Sequence, residues 1–327
     1  MSDRLTRALD DGALALPQAG RVLALRMPGD ADLSSLPLDR LVAVTGFRPD
    51  HEALSGRGVT VAPAAEGPFA GAIVFLPRSR ALAQDLIAAA MGILPAGAPL
   101  IVDGAKTDGI DALWRACRKR FDVGDTVTRG HGRAFALACP SVAPDDWVAR
   151  PVEVDGFVTT AGVFSADGVD PGSALLAARL DGVAGRVCDL GAGWGYLSHA
   201  VLARPAVTQV DLVEAERAAL DCARLNVADD RAAFHWADAR RFEGGPYDWI
   251  VSNPPFHTGR QADPDLGRAF IAAAARLLSP RGRLRLVANR QLPYEAALSD
   301  AFAETLVLEE RDGYKVLDAA RPRRGRI

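Results

Sequence analysis

The stretch "RVCDLGAGWGYLSHAVL" (residues 186–202) joins an apolar, β-branched run to a helical pattern through a loop with glycine at 191, 193 and 195. A strand passing through such a loop into a helix is the repeating unit of a doubly wound α/β sheet, where ligands sit at the carboxyl ends of the strands. Asp189 stands near the end of the run, which gives the pattern D-x-G-x-G-x-G. A dinucleotide-binding loop would place its third glycine at position 196, where this sequence has Tyr196, so pyrophosphate binding at the helix start is disfavoured. Glycine still lets backbone approach a ligand closely. Gly191 and Gly193, with the adjoining Trp194, are therefore candidate ligand contacts.

Working outward, the next apolar run, "VDLVEAERAAL" (210–220), carries Glu214 at its end, 23 residues after Gly191. An acid there can accept hydrogen bonds from both hydroxyls of a ribose. A third run, "FHWADAR" (234–240), ends on Asp238 with Ala239 beside it, placed to face an adenine amino group. Asp189, Glu214 and Asp238 read together as acids in register around a nucleoside pocket without phosphates. That pattern suits S-adenosylmethionine better than NAD or ATP.

The fourth strand is "DWIVSNPPFH" (248–257), which stops on an amide, two prolines and an aromatic ring. At the crevice, Asn253 would offer a side-chain oxygen, and the prolines fix φ and leave carbonyl oxygens without competing N–H donors. Two such acceptors, from Asn253 and Pro254, can hold both N–H bonds of a planar amine and leave its lone pair aimed at an electrophile. Phe256 can stack on the base carrying that amine, while Pro255 and His257 are candidate substrate contacts. The reaction served is in-line displacement at the methyl group of a sulfonium, driven mainly by alignment.

Short apolar runs alternate with alanine-rich helical stretches throughout, predicting an α/β protein with mainly parallel sheets. The first half offers strands at 21–25, 40–46, 58–63, 71–77 and 98–104, the second at 186–191, 209–215, 234–238, 248–254 and 283–288. The segments "AIVFLP" (72–77) and "LIAAAMGILPAGAPLIV" (86–102) match "WIVSNPP" (249–255) and "FIAAAARLLSPRGRLRLV" (270–287) element for element. This is the mark of an internal duplication. The second copy has gained residues just after its prolines, where α/β sheets build their sites. "VFLPRSR" replaces "VSNPPFH" and "VLALRMPGD" replaces "VCDLGAGWG", so one copy is expected to be active and the other degenerate. The segment "CPSVAPDDWVARPVEV" (139–154), with three prolines, separates them, which places the expected domains at 1–145 and 146–327.

Composition fits this reading. Of the 327 residues, 49% are hydrophobic and 24% charged, the profile of an ordinary globular protein. The formal charge of -3 argues against nonspecific coating of nucleic acid. Basic runs occur only locally, at "RACRKRF" (115–121) and "RPRRGRI" (321–327). Cys117, Cys139, Cys188 and Cys222 have no disulfide or zinc spacing and read as small buried residues, so no metal is expected. No apolar run is long enough to span a membrane, and the opening "MSDRLTRALDDGALALP" carries acids where a signal peptide would be apolar. A cytoplasmic location is expected, and a monomer.

With these residues in view, the sequence resembles the class I S-adenosylmethionine-dependent methyltransferases, in particular the small-subunit ribosomal RNA guanine-N2 methyltransferases of the RsmC type. The resemblance rests on "CDLGAGWG", "NPPFH", "RLRLVANRQLPYEAAL" (283–298), "GYKVLDA" (313–319) and "GVFSADGVDPGSALL" (162–176). It implies two tandem Rossmann-like domains, the first without cofactor, and a guanine of ribosomal RNA or of the small ribosomal subunit as target. It also implies that Phe164, Ser165, Asp170 and Gly172 belong to the cofactor pocket; the residues alone mark only a turn-rich loop and a helix start. The same Asn-Pro-Pro-aromatic arrangement serves adenine N6 and glutamine amides. A noncatalytic RNA-binding or ribosome-assembly module is the reading from another class.

Overall fold

The computed structural model describes residues 4–255, 257–258, 261–262 and 264–323. The chain forms two compact units, divided between Arg150 and Pro151.

The first unit runs α1 (Arg4–Asp10), β1 (Val22–Leu25), β2 (Leu41–Val44), α2 (Arg48–Gly56), β3 (Thr60–Ala62), β4 (Gly71–Phe75), α3 (Arg80–Ile93), β5 (Pro99–Ala105), α4 (Ile110–Arg118), β6 (Val123–Arg129) and β7 (Gly132–Ala138). These strands make a seven-stranded sheet in the order β3-β2-β1-β4-β5-β7-β6. The uninterrupted apolar runs of β1 and β4 are buried along their whole length, as central parallel strands covered on both faces must be. One core layer gathers Leu23, Val74, Ile87 and Leu100, the other Val22, Met27, Ile73 and Ile101.

The second unit runs β8 (Val152–Val154), β9 (Phe157–Thr159), α5 (Pro171–Ala177), β10 (Gly185–Leu190), α6 (Tyr196–Leu202), β11 (Val207–Glu214), α7 (Arg217–Asn226), β12 (Ala232–Trp236), β13 (Tyr247–Ser252), β14 (His257–Thr258), β15 (Gln261–Ala262), α8 (Pro264–Leu277), β16 (Leu278–Asn289), α9 (Tyr294–Ala301), β17 (Phe302–Arg311) and β18 (Tyr314–Pro322). Its main sheet is also seven-stranded, in the order β12-β11-β10-β13-β16-β18-β17. Counted along each unit's own main sheet, the two orders are identical. The duplication seen in sequence therefore extends to topology.

Each sheet closes with two antiparallel strands, β7-β6 and β18-β17, which the sequence pattern did not reveal. The outermost strands explain why. In β17 most positions are exposed and glutamates recur, and β6 is similarly polar; charge on an edge strand deters further pairing but erases the apolar signal. All four cysteines are buried free thiols, as their sequence context suggested.

Candidate active site

The site lies at the carboxyl ends of β10 and β13, which are neighbours in the sheet. After Leu190 the chain turns through Gly191 (φ +83°), Gly193 (φ +56°) and Gly195 (φ +92°), a left-handed backbone that favours glycine. The three do different work. A Cβ on Gly195 would strike Val227 and Ala223 under α7, and one on Gly191 would press on the Phe270 ring, so both are fixed by packing. A Cβ on Gly193 would meet nothing within 4 Å; its bare face looks into open space. Gly191 and Ala192 donate to Val213 O at 2.9 and 3.1 Å, and Gly193 N donates to Glu214 Oε2 at 2.8 Å, so the end of β11 shapes the loop directly. Glu214 Oε1 accepts from Glu216 N at 2.7 Å. Burial raises the Glu214 carboxyl above its ordinary value against these backbone donors.

Asp189 is fully buried beneath the loop, where its Oδ2 accepts the Ser198 hydroxyl at 2.7 Å and ties the loop to α6. Its Oδ1 has no hydrogen-bond partner, and burial pushes the carboxyl up to about 7.

Asn253 follows β13. Its Nδ2 donates to Asp170 Oδ2 at 2.9 Å and to Ser173 Oγ at 2.8 Å. A carboxylate only accepts, so this contact fixes which end of the amide is nitrogen and turns Oδ1 away from the clamp. Among the described residues nothing donates to that oxygen. Asp170 also caps α5, accepting Ser173 N at 2.8 Å, with Pro171 in the first turn where its missing N–H costs nothing. One carboxylate thus starts a helix and orients the amide. Ser252, just before, donates to Leu190 O at 2.6 Å and binds the two strand ends together.

The segment between β9 and α5 leans on the loop. Trp194 Nε1 donates to Phe164 O at 2.9 Å, and Asn226 bridges Trp194 O and Val158 O, holding the β8-β9 hairpin to α7. Ser165 takes φ +50° and donates to Gly168 O at 2.8 Å. Together Phe164, Ser165, Asp170, Ser173, Gly191, Ala192, Gly193, Trp194, Tyr196, Leu197 and Asn253 line one cavity.

Several sequence expectations change. The three acids are not in register: Asp189 pairs with Leu212 and Glu214 with Trp236, so Glu214 lies further along the sheet than Asp189, and Asp238 further than Glu214. Asp189 lies under the loop instead of facing a ligand. Both oxygens of Asp238 are taken by Arg240, two residues on, and Ala239 packs into the apolar core; neither lines the cavity. Gly172 also serves packing, because a Cβ there would meet the Tyr314 ring at 2.8 Å. Pro254 is buried and Pro255 exposed. Phe256 lies outside the described residues; His257 has a described backbone, paired with Ala262, but its side chain lies outside them. Sequence reading missed Ser173, Tyr196, Leu197, Ser198 and Ser252. Of these, only Ser173 carried a signal, three residues after a helix-capping aspartate. Among the described residues no group of three or more metal-ligating side chains gathers, and no helix is long and apolar enough to cross a membrane.

Three comparisons bear on this geometry. Residues 155–318 match the methyltransferase small domain family. The ribosomal RNA small subunit methyltransferase C of Shewanella pealeana is 32% identical over 261 residues, 76% of each chain, and that of Shewanella sp. MR-4 is 29% identical over 256 residues, 75% of each chain. The solved structure of the T. thermophilus 16S rRNA N2 G1207 methyltransferase (RsmC) in complex with AdoMet and guanosine is 28% identical and superposes with a TM-score of 0.77, covering 96% of this chain and 92% of that one. The chain belongs to the methyltransferase small domain family, and within it to the ribosomal RNA small subunit methyltransferase C proteins.

Proposed function

We propose that this chain transfers the methyl group of S-adenosylmethionine to the exocyclic N2 amine of a guanine in small-subunit ribosomal RNA. The observation that carries the reading is the clamped amide of Asn253, whose oxygen is turned from Asp170 and Ser173 at the rim of a glycine-walled cavity. Its membership among small-subunit ribosomal RNA methyltransferases, and the guanosine bound to its T. thermophilus relative, favour guanine over adenine or a protein amide.

The residues fit the cofactor. Gly193 leaves open the space a side chain would fill, and the half-buried Glu214 carboxylate keeps lone pairs for ribose hydroxyls beyond the two backbone donors it already holds. S-adenosylmethionine supplies an electrophilic methyl on a positive sulfur. Asn253 Oδ1 and the Pro254 carbonyl accept the two N–H bonds of the guanine amine and aim its lone pair, so that the N–C bond forms as the C–S bond breaks. The amine then loses its proton. Phe256 is assigned to stacking on the base, and His257 and Pro255 to the RNA around it. The first unit is read as a copy without cofactor, and the chain as a cytoplasmic monomer acting on ribosomal RNA or the small subunit.

Mass mapping of methylated nucleosides in small-subunit ribosomal RNA from cells with and without the gene tests the reading. One N2-methylguanine is expected to disappear with the gene. An unchanged guanine map, with or without a lost N6-methyladenine, would overturn it.

A further inference from the structure

The cavity at the ends of β10 and β13 is built around negative charge. Among the described residues that line it Asp170 is the one charged side chain, with no lysine or arginine beside it. Two more carboxyls stand behind the glycine wall: Glu214, which holds Gly193 N, and Asp189, two residues before Gly191. Asp189 is fully buried; the Ser198 hydroxyl reaches one of its oxygens, and the other is buried with no hydrogen-bond partner. A carboxylate at such depth with a single donor is costly, and protonation removes most of that cost.

The groups around Asp189 act in the same direction. From β11 comes Glu214, whose negative charge opposes a second one; from β13 comes Val251, its partner in register. α6 brings the Ser198 hydroxyl, while His199 of that helix is exposed and lies against Phe157. α8 brings the Phe270 ring up to Gly191. On the same strand the Cys188 thiol is held well above its ordinary value by burial, with Asp189 adding to the effect, and stays neutral. Among the described residues none of these elements offers the carboxyl a cation, and burial pushes it up to about 7.

We propose that Asp189 distinguishes the cationic cofactor from its neutral product: it is protonated in the empty chain, releases that proton to solvent when the sulfonium of S-adenosylmethionine enters the cavity, and recovers it once only the thioether is left; this rests on the methyl donor of the function proposed above and not on its guanine. Charge balances in each state. Empty, the loop covers a neutral acid; loaded, a buried carboxylate faces a positive sulfur, an attraction that salt screens little. As the methyl group leaves, the sulfur keeps the electron pair of the C–S bond and becomes neutral. Asp189 then lacks its counter-charge and takes a proton from solvent, so the product is held less tightly than the cofactor without touching this residue.

Calorimetry on the full chain tests this. S-adenosylmethionine and S-adenosylhomocysteine are titrated in at about pH 6, 7 and 8, in two buffers of different ionisation enthalpy, which counts the protons exchanged. The amine of the ligands titrates at about pH 8 or above, so wild type is read against Asp189→Asn. At about pH 7 wild type is expected to release roughly half a proton more than the variant on binding S-adenosylmethionine, and no more than the variant on binding S-adenosylhomocysteine. Its affinity for S-adenosylmethionine should rise by up to about tenfold from about pH 6 to about pH 8, and the preference for cofactor over product should shrink in Asp189→Asn. Ser198→Ala keeps the carboxyl and removes the donor that lowers its pKa, so it should move the midpoint of that rise to higher pH, which a serine of structural importance alone would not do. Equal proton release by wild type and Asp189→Asn, the same pH slope for cofactor and product, or an unmoved midpoint in Ser198→Ala would overturn the proposal. Binding of neither ligand by wild type would refute the methyl donor itself and the proposal with it, whereas the expected release in a chain that methylates no guanine would refute only the choice of base.

Discussion

The two units have one strand order and opposite chemistry. At the end of β1, Arg26 takes φ +55° and donates to Val44 O at 2.8 Å; at the end of β10, Gly191 takes φ +83° and donates to Val213 O at 2.9 Å. The backbone turn is the same. Beyond it the chains diverge: the first unit runs into irregular chain with Met27 fully buried, while the second makes the glycine loop and α6. By the alignment of the repeat, Ala24 stands for Asp189 and Leu76 for Asn253. The fold therefore tolerates apolar residues where the second unit has an acid and an amide. A buried carboxylate and a clamped amide are worse choices for stability than alanine and leucine, so the needs of the fold do not explain their presence in one copy alone.

The largest expected effect comes from importing the first unit's residue into the second. Asn253→Leu should lower methyl transfer by about a thousandfold, the scale seen when one preorganised polar contact to the reacting group is lost. S-adenosylmethionine affinity should stay within a few-fold, since the role proposed for the amide is toward the amine and not the cofactor. Tritium transfer and calorimetry measure the two separately. Transfer within tenfold of wild type would mean that Asn253 does no more than Leu76.

A second substitution addresses the buried acid. Asp189 has a folded-state pKa of about 7 against an ordinary value of 3.8, so between those values the folded chain binds the proton that the unfolded chain has lost. Stability from this group is full below about pH 4, falls as pH rises, and levels off above about pH 7. Asp189→Asn should remove that slope, raising the melting temperature of the second unit at pH 8 by an amount equivalent to roughly 2 kcal/mol or more, with little change at pH 4. Parallel melting curves for both proteins across this range would contradict the assignment.

Much of this was legible in the sequence because it is local. Apolar runs, the three glycines and the strand-end residues Glu214 and Asn253 follow from spacing within one strand–loop–helix unit. What spacing does not carry is where a side chain turns. Asp238 looked like a ligand contact, yet it bends back onto Arg240 in a contact two residues long. Asp170, placed in the pocket by resemblance, does line the cavity, but its partnership with Asn253 spans 83 residues of sequence. Periodicity carries no information about such a pair.

That partnership gives the smallest effect and the finest cut between the units. Leu76 needs no orientation; an amide does, because reversed it would present N–H groups to an amine that also donates. Two acceptors hold Asn253, one from Asp170 and one from Ser173, and a single hydrogen bond is worth about 0.5–1.5 kcal/mol net. Ser173→Ala keeps the Asp170 cap and its bond to the residue-173 backbone N–H, so the fold should hold. It should lower kcat by roughly fivefold, as the amide spends time misoriented, and leave KM for RNA and cofactor affinity near wild type. A rise in KM at constant kcat would instead make Ser173 a binding contact. An unchanged kcat would leave Asp170 alone as the residue that separates a working amide from an inert leucine at the same place in the same fold.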